Sequence, residues 1–228
     1  MKHLAASAAL LLAGCAAGTW SSSPDAEARR WDGLPRLGPI QVALLYHRVS
    51  GIPAPASALA RAEPLGCAPR DDRDRTAPGS GAAGQLRADE AAVAGTRRWL
   101  LPLRRTLGAY DMVLGGFPTG LRDGAVVAFA GPDYCGEPLD YRVALTNGGA
   151  FGLLPIDAGA AVRLIRDSPS REVDQDLEVE VTGAQPVGGR PVLLARIRRL
   201  RSRDAATGAI LSSTEGDPRL RSRALTPP

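Results

Sequence analysis

The side chains that could do chemistry in this chain are few. It has two histidines, His3 and His47. His3 lies in an apolar, leader-like segment, so His47 is the one imidazole left for a folded domain. One imidazole cannot build a multi-His zinc centre. It is also the only conventional base for a Ser or Cys nucleophile, and no Gly-x-Ser-x-Gly elbow exists for it to serve. The three cysteines, Cys15, Cys67 and Cys135, form no Cys-x-x-Cys redox pair. Among the carboxylates, Asp71, Asp72 and Asp74 are interleaved with Arg and read as self-neutralised. Asp174 and Asp176 stand two apart and would share a face of an extended strand. Two such carboxylates can bind calcium or serve as acid and base. No Gly-bearing calcium loop surrounds them, so they read as solvated turn residues before a strand. Gly79 to Gly84 matches Gly-x-Gly-x-x-Gly. A dinucleotide site needs a hydrophobic strand directly before that motif. An Asp/Arg run and a Pro stand there instead, so the segment reads as a linker. No metal and no cofactor is expected.

The N-terminus has a clearer chemistry. Lys2 gives a positive start, Leu4 to Leu12 form a short core of Leu and Ala, and Leu12-Ala13-Gly14-Cys15 follows. The run is too short to span a bilayer, which takes about 20 apolar residues. It has the three parts of an export signal. The Leu-Ala-Gly-Cys ending resembles the lipobox of bacterial lipoproteins. That resemblance implies cleavage before Cys15, acylation of Cys15, and attachment to the membrane through the lipid. Ala16, rather than Asp, then points to the outer membrane, facing the periplasm. With Cys15 acylated, Cys67 and Cys135 remain as an even pair in an oxidising compartment and are expected to form a disulfide. Closing that loop would contribute about 4 kcal/mol.

Two shorter resemblances concern the rest of the chain. Tyr46-His47-Arg48-Val49 is similar to a stretch near the start of polysaccharide deacetylase domains, which are metal-dependent hydrolases of N-acetylated glycans. The Thr-Phe-Asp-Asp-Gly motif of that family is absent, the nearest string being Phe129-Ala130-Gly131-Pro132-Asp133, and its His-x-x-x-His pair cannot be formed. His47 therefore reads as a partly exposed helix residue. Gly108-Ala109-Tyr110-Asp111, followed by Gly115-Gly116-Phe117-Pro118, resembles a junction in an uncharacterised family of bacterial exported domains. Tyr110 and Phe117 are scarce aromatics in a chain with 4% aromatic residues, and core packing is their expected role. Met112 and Val113 carry no signal of their own.

Composition bounds the partners. Lys+Arg total 28 against 24 Asp+Glu, a net charge of +4, and Lys2 is the only Lys. An Arg-, Ala-, Gly- and Pro-rich chain is what a GC-rich genome produces, and export removes nucleic acid as the usual partner. The basic excess is local: Arg190, Arg196, Arg198, Arg199, Arg201, Arg203, Arg219, Arg221 and Arg223 crowd the C-terminal part. Such a segment could lie on anionic headgroups, but it reads as a solvated edge strand whose charge blocks edge pairing.

The elements that must position these residues follow from periodicity. Residues 1–14 are the signal and 15–39 a flexible tether. Residues 40–213 form one α+β domain with a flexible loop at 68–84, and 214–228 form a tail. Ile40–Val49 reads as a helix stopped at Gly51, Ser57–Ala62 as a second short helix, and Gln85–Trp99 as an Ala-rich helix. Strands are expected at Ala125–Ala130, Tyr141–Thr146, Phe151–Ile156, Leu177–Thr182, Pro191–Leu200 and Ala209–Ser212, in a mostly antiparallel sheet. One helix is inserted near 157–167, with Asp157 as N-cap and Val162 and Ile165 packed inward. The expected role is a lipid-anchored, non-catalytic binding or assembly module contacting another envelope protein. The alternative is a cell-wall or glycan hydrolase using carboxylates.

Overall fold

The computed structural model describes residues 31–53, 79–132 and 138–215. Cys15, Cys67, Cys135, the signal, the short helix expected at 57–62 and most of the loop expected at 68–84 lie outside them. The chain divides into two compact units, 1–32 and 33–228. Only Trp31 and Asp32 of the first are described; the sheet and the helices that accompany it belong to the second.

The fold is α+β. In the second unit three helices, α1 (Pro39–Ser50), α2 (Gly79–Gly95) and α3 (Ala158–Asp167), accompany eight strands among the described residues. The strands are β1 (Arg98–Thr106), β2 (Gly116–Pro118), β3 (Ala125–Pro132), β4 (Pro138–Leu145), β5 (Leu153–Pro155), β6 (Glu172–Val187), β7 (Arg190–Asp204) and β8 (Ile210–Glu215). The main sheet runs β1-β6-β7-β4-β3, with β8 also paired to β7; β2 and β5 form a separate ribbon. Every pairing is antiparallel except β4 with β7.

The sheet is built on one long hairpin. Gly188 and Gly189 take φ of +58° and +76°, which a two-residue turn matched to strand twist requires. The arms are 16 and 15 residues long. Along β6, Val173, Gln175, Leu177 and Val179 point inward, while Asp174, Asp176, Glu178 and Glu180 point to the other face. On β7 a bulge matters. Glu178 pairs with Arg199 and Val179 with Ile197, so Arg198 is the extra residue. In a regular strand Ile197 and Leu200, three apart, would face opposite sides. The bulge turns both inward and sets Arg199, Arg201 and Arg203 on the outer face.

The inner face carries the core. Cross-strand rows Trp99–Val179–Ile197 and Leu101–Leu177–Leu200 are all at least 96% buried. Helix α1 lies on them with Val42, Ala43, Leu45 and Tyr46, a stripe at helical spacing. Pro39 at its first turn presets the helical φ. Gly51 ends it at φ +70°, its N–H donating to the His47 carbonyl at 3.1 Å. A smaller core gathers Leu107, Phe117, Leu154, Ala161, Leu164 and Val173 under α3.

Several expectations are corrected. The supposed tether reaches too far: Leu37 is buried, its N–H donates to Leu100 O, and the Leu100 N–H donates to Pro35 O. Residues 35–37 thereby cover part of the β1 edge. Residues 79–84 belong to α2 rather than to a loop, and Trp99 sits in β1 rather than in the helix. The strand β1 itself was hidden by Pro102, tolerated there because β1 is an edge strand. Val162 and Ile165 face outward at 66% and 43% exposure, and Ala161 and Leu164 pack inward. Strand β8 runs on through Glu215, into the supposed tail.

Leu177 sits in the middle of the main core with no exposed surface. Leu177→Ala should lower the unfolding free energy by about 2–5 kcal/mol, read as a fall in the urea midpoint. A change below about 1 kcal/mol would mean the α1–sheet interface is loosely packed.

Candidate functional site

Three places bring chemically capable or exposed groups together. The first is the outer face of the sheet, where the carboxylates of β6 meet arginines from both sides. Glu178, 1% exposed, accepts from Arg98 Nη1 at 3.2 Å and from Arg199 Nε. Asp176 Oδ2 accepts from Arg201 Nη2 at 2.7 Å and from Arg203 Nη2 at 2.9 Å. Arg104 grips both oxygens of Asp174, at 2.9 and 3.3 Å. Glu180 faces Arg198 Nε at 3.6 Å. The register places these partners directly or diagonally opposite one another.

Two expectations fail here. Asp174 and Asp176 do share a face, but inside a strand and paired with arginine, not in a solvated turn. The Arg-rich segment is no solvated edge. Its Arg190–Arg203 part is β7, flanked by β6, β4 and β8, and its Arg201 and Arg199 side chains are only 12% and 18% exposed; Arg219, Arg221 and Arg223 lie outside the described residues. The hydrogen bond and charge of Arg104 hold the Asp174 carboxyl below the usual carboxylate range and raise Arg104 in turn. A carboxylate held ionised in this way is poorly suited to act as a general acid, which needs a raised value.

The second place is the His47 ring, half-buried at the end of α1. Its Nδ1 lies 2.9 Å from the Ile52 carbonyl oxygen and its Nε2 lies 2.7 Å from the Tyr141 hydroxyl. A carbonyl only accepts, so its chemistry assigns a proton to Nδ1; in that tautomer Nε2 accepts from Tyr141 O–H. Tyr46 stands edge-on to both rings, at 5.2 and 5.8 Å. Burial, and then the neighbouring Tyr46, push the Tyr141 phenol above its ordinary value, so it keeps its proton. The pair acts as a bolt between α1 and β4. Tyr141 was legible only as a strand residue. The available signal was a Tyr at an inward position beside Leu139 and Val143, whose hydroxyl must find a partner.

The third place is the turn between β1 and β2. Asp111 Oδ1 accepts from the N–H groups of Val113 and Leu114 at 2.8 and 2.9 Å. Its carbonyl accepts from Gly115 N at 2.9 Å, and its own N–H donates to Gly116 O at 2.8 Å. Gly115 closes the turn at φ +66°. Below it, Tyr110 stacks edge-on to the fully buried Phe117 at 5.1 Å and donates its hydroxyl proton to Ile156 O at 2.9 Å. Both aromatics pack as expected. The result is a fixed turn whose tip is Met112, Val113 and Leu114, exposed by 76%, 93% and 62%. The sequence reading gave Met112 and Val113 no signal of their own and did not single out Leu114. Three consecutive large apolar side chains inside an Asp-x-x-x-Gly turn were the signal.

Between the two cores, Gln175 and Ser202 pair across β6 and β7 with no exposed surface. Among the described residues the Gln175 amide atoms and Ser202 Oγ have no hydrogen-bond partner. Among the described residues, too, no group of three His, Cys, Asp or Glu could hold a metal ion, and no helix is long and apolar enough to cross a membrane. No protein-family model, curated protein or solved structure matches the chain.

Three carboxyls among the described residues lie below their ordinary value. Besides Asp174, Asp167 is lowered by hydrogen bonding to Arg166. Burial alone would raise Asp204, but hydrogen bonds from Thr207, Ser168 and Ala206 outweigh it. The folded state thus binds fewer protons than the unfolded chain in acid. The stabilisation is complete above the unfolded value of about 3.9 and is lost as pH falls through the lower folded values. Thermal melting from pH 6 downward should be nearly flat to about pH 4 and then fall. Asp174→Asn should shallow that fall. An unchanged acid limb in this variant would mean the Arg104 pair carries no stabilisation.

Proposed function

We propose that the protein is a lipid-anchored component of the bacterial cell envelope, held through Cys15 at the outer membrane facing the periplasm. It acts as a non-catalytic binding or assembly module, and Cys67 and Cys135 pair as a structural disulfide. The observation that carries the binding role is the Asp111 turn. Isolated surface apolar residues are ordinary, but three in a row on a hydrogen-bonded tip have no packing role among the described residues.

The chemistry of the described side chains supports the same reading. The carboxylates that could have served a hydrolase are engaged by arginine, with Asp174 held ionised. The His47 ring is committed at both nitrogens to a backbone carbonyl and a protonated phenol. Arg98, Arg104, Arg199, Arg201 and Arg203 are all in ion pairs within the sheet, which argues against a free basic stripe for nucleic acid.

Cys15→Ala should abolish labelling by palmitate and move the protein out of the membrane fraction. A variant that still takes up labelled palmitate would overturn the anchor.

A further inference from the structure

We infer that the Met112-Val113-Leu114 tip, together with the outer face of α3, inserts into the headgroup and upper acyl region of a phospholipid surface. The inference deepens the proposed function by naming the partner of the exposed turn, and it rests on that reading for the proximity of a membrane.

The tip has the form that a lipid surface accepts. It protrudes, with Val113 at 93% exposure. Three of its backbone donors are spent inside the turn: the N–H groups of Val113, Leu114 and Gly115 all bond to Asp111. Apolar side chains can therefore enter the headgroup and upper acyl region without carrying those N–H groups in unpaired, one part of the penalty on loops at membrane depth.

A second element joins it. Ile156 N–H donates to Gly115 O at 3.2 Å, and Gly116 pairs with Pro155. The turn is thus fastened to the chain directly before α3, which Asp157 caps by accepting from Ala160 N–H at 2.9 Å. Ala161 and Leu164 hold α3 to the small core, while exposed Val162 and Ile165 alternate with exposed Arg163 and Arg166. That is the composition of an interfacial helix: apolar side chains with arginines whose stems lie along them and whose guanidinium groups reach phosphate. Arg166 also pairs with Asp167 at 2.7 Å, an exposed contact that a phosphate can replace at little cost. A folded protein partner would need a concave apolar pocket for three adjacent side chains. A bilayer yields to any convex shape.

On the proposed reading, an acylated Cys15 keeps the domain beside a bilayer. The insertion then fixes how the domain faces the membrane, as a second weak contact does beside a permanent anchor.

The test places an indole at the tip. The full-length protein carrying Val113→Trp, purified from membranes and reconstituted in vesicles of phosphatidylcholine and phosphatidylglycerol, is compared with the parent. Acyl chains brominated near the headgroup should reduce the emission of the introduced indole at least about twofold, with a blue shift. Adding Met112→Asp and Leu114→Asp should abolish the quenching. Thermal melts of the three proteins should agree, because the changed side chains are exposed. An indole that stays unquenched, with the emission of a water-exposed ring, on vesicle-bound protein would overturn the inference. So would a tip shielded in native envelopes but exposed in protein-free vesicles, which would assign it to a protein partner. Palmitate uptake at Cys15 is read separately, so failure of the anchor and failure of the tip are distinguishable.

Discussion

The fold depends on a demand set by β6. Alternation on this strand puts Asp174, Asp176, Glu178 and Glu180 on one face, and two of them are almost fully buried. A buried carboxylate without a counter-charge is costly by several kcal/mol. Each one therefore needs a cation at a defined position on a neighbouring strand, and β1 and β7 supply them. Shifting β7 by one residue would turn its arginines into the core and its leucines to the outside. The charge ladder and the apolar rows thus require the same register. A buried ion pair is weak evidence for net stability, so what these pairs contribute to the register is a matter for a coupling measurement. The bulge at Arg198 is the adjustment that lets both patterns hold at once.

That register decides what the sheet can carry. Its inner rows receive α1, and the His47–Tyr141 hydrogen bond fixes the end of that helix against β4. Its far end receives the small core, on which the β2–β5 ribbon and α3 are mounted. The Asp111 turn rises from that lobe, held by its own backbone. On the proposed reading, that small apolar projection is the part of the scaffold that makes contact.

Much of the architecture was legible in local pattern. The helix ending at Gly51 followed from apolar spacing and a glycine stop. Alternation from Leu177 to Val181 marked one face of β6. What escaped depended on partners distant in sequence. Strand β1 reads as broken by Pro102 until its edge position is known. Asp174 and Asp176 read as turn residues because nothing local shows that Arg104, Arg201 and Arg203 will stand opposite them. The same blindness made β7 look like a solvated edge. On α3, two residues of each type compete for the inner face. Ala161 and Leu164 pack into the small core, and Val162 and Ile165 stay outside. The Asp111 turn was the one feature whose signal was local and still overlooked.

The central claim is that buried carboxylate–arginine pairs fix the β6–β7 register. A double-mutant cycle of Glu178→Gln and Arg199→Met, measured by urea unfolding at neutral pH, tests it most directly. The account predicts that each single substitution is strongly destabilising and that the two are coupled by about 1–3 kcal/mol, so that the double variant is more stable than the sum implies. Additivity within about 0.5 kcal/mol would contradict it.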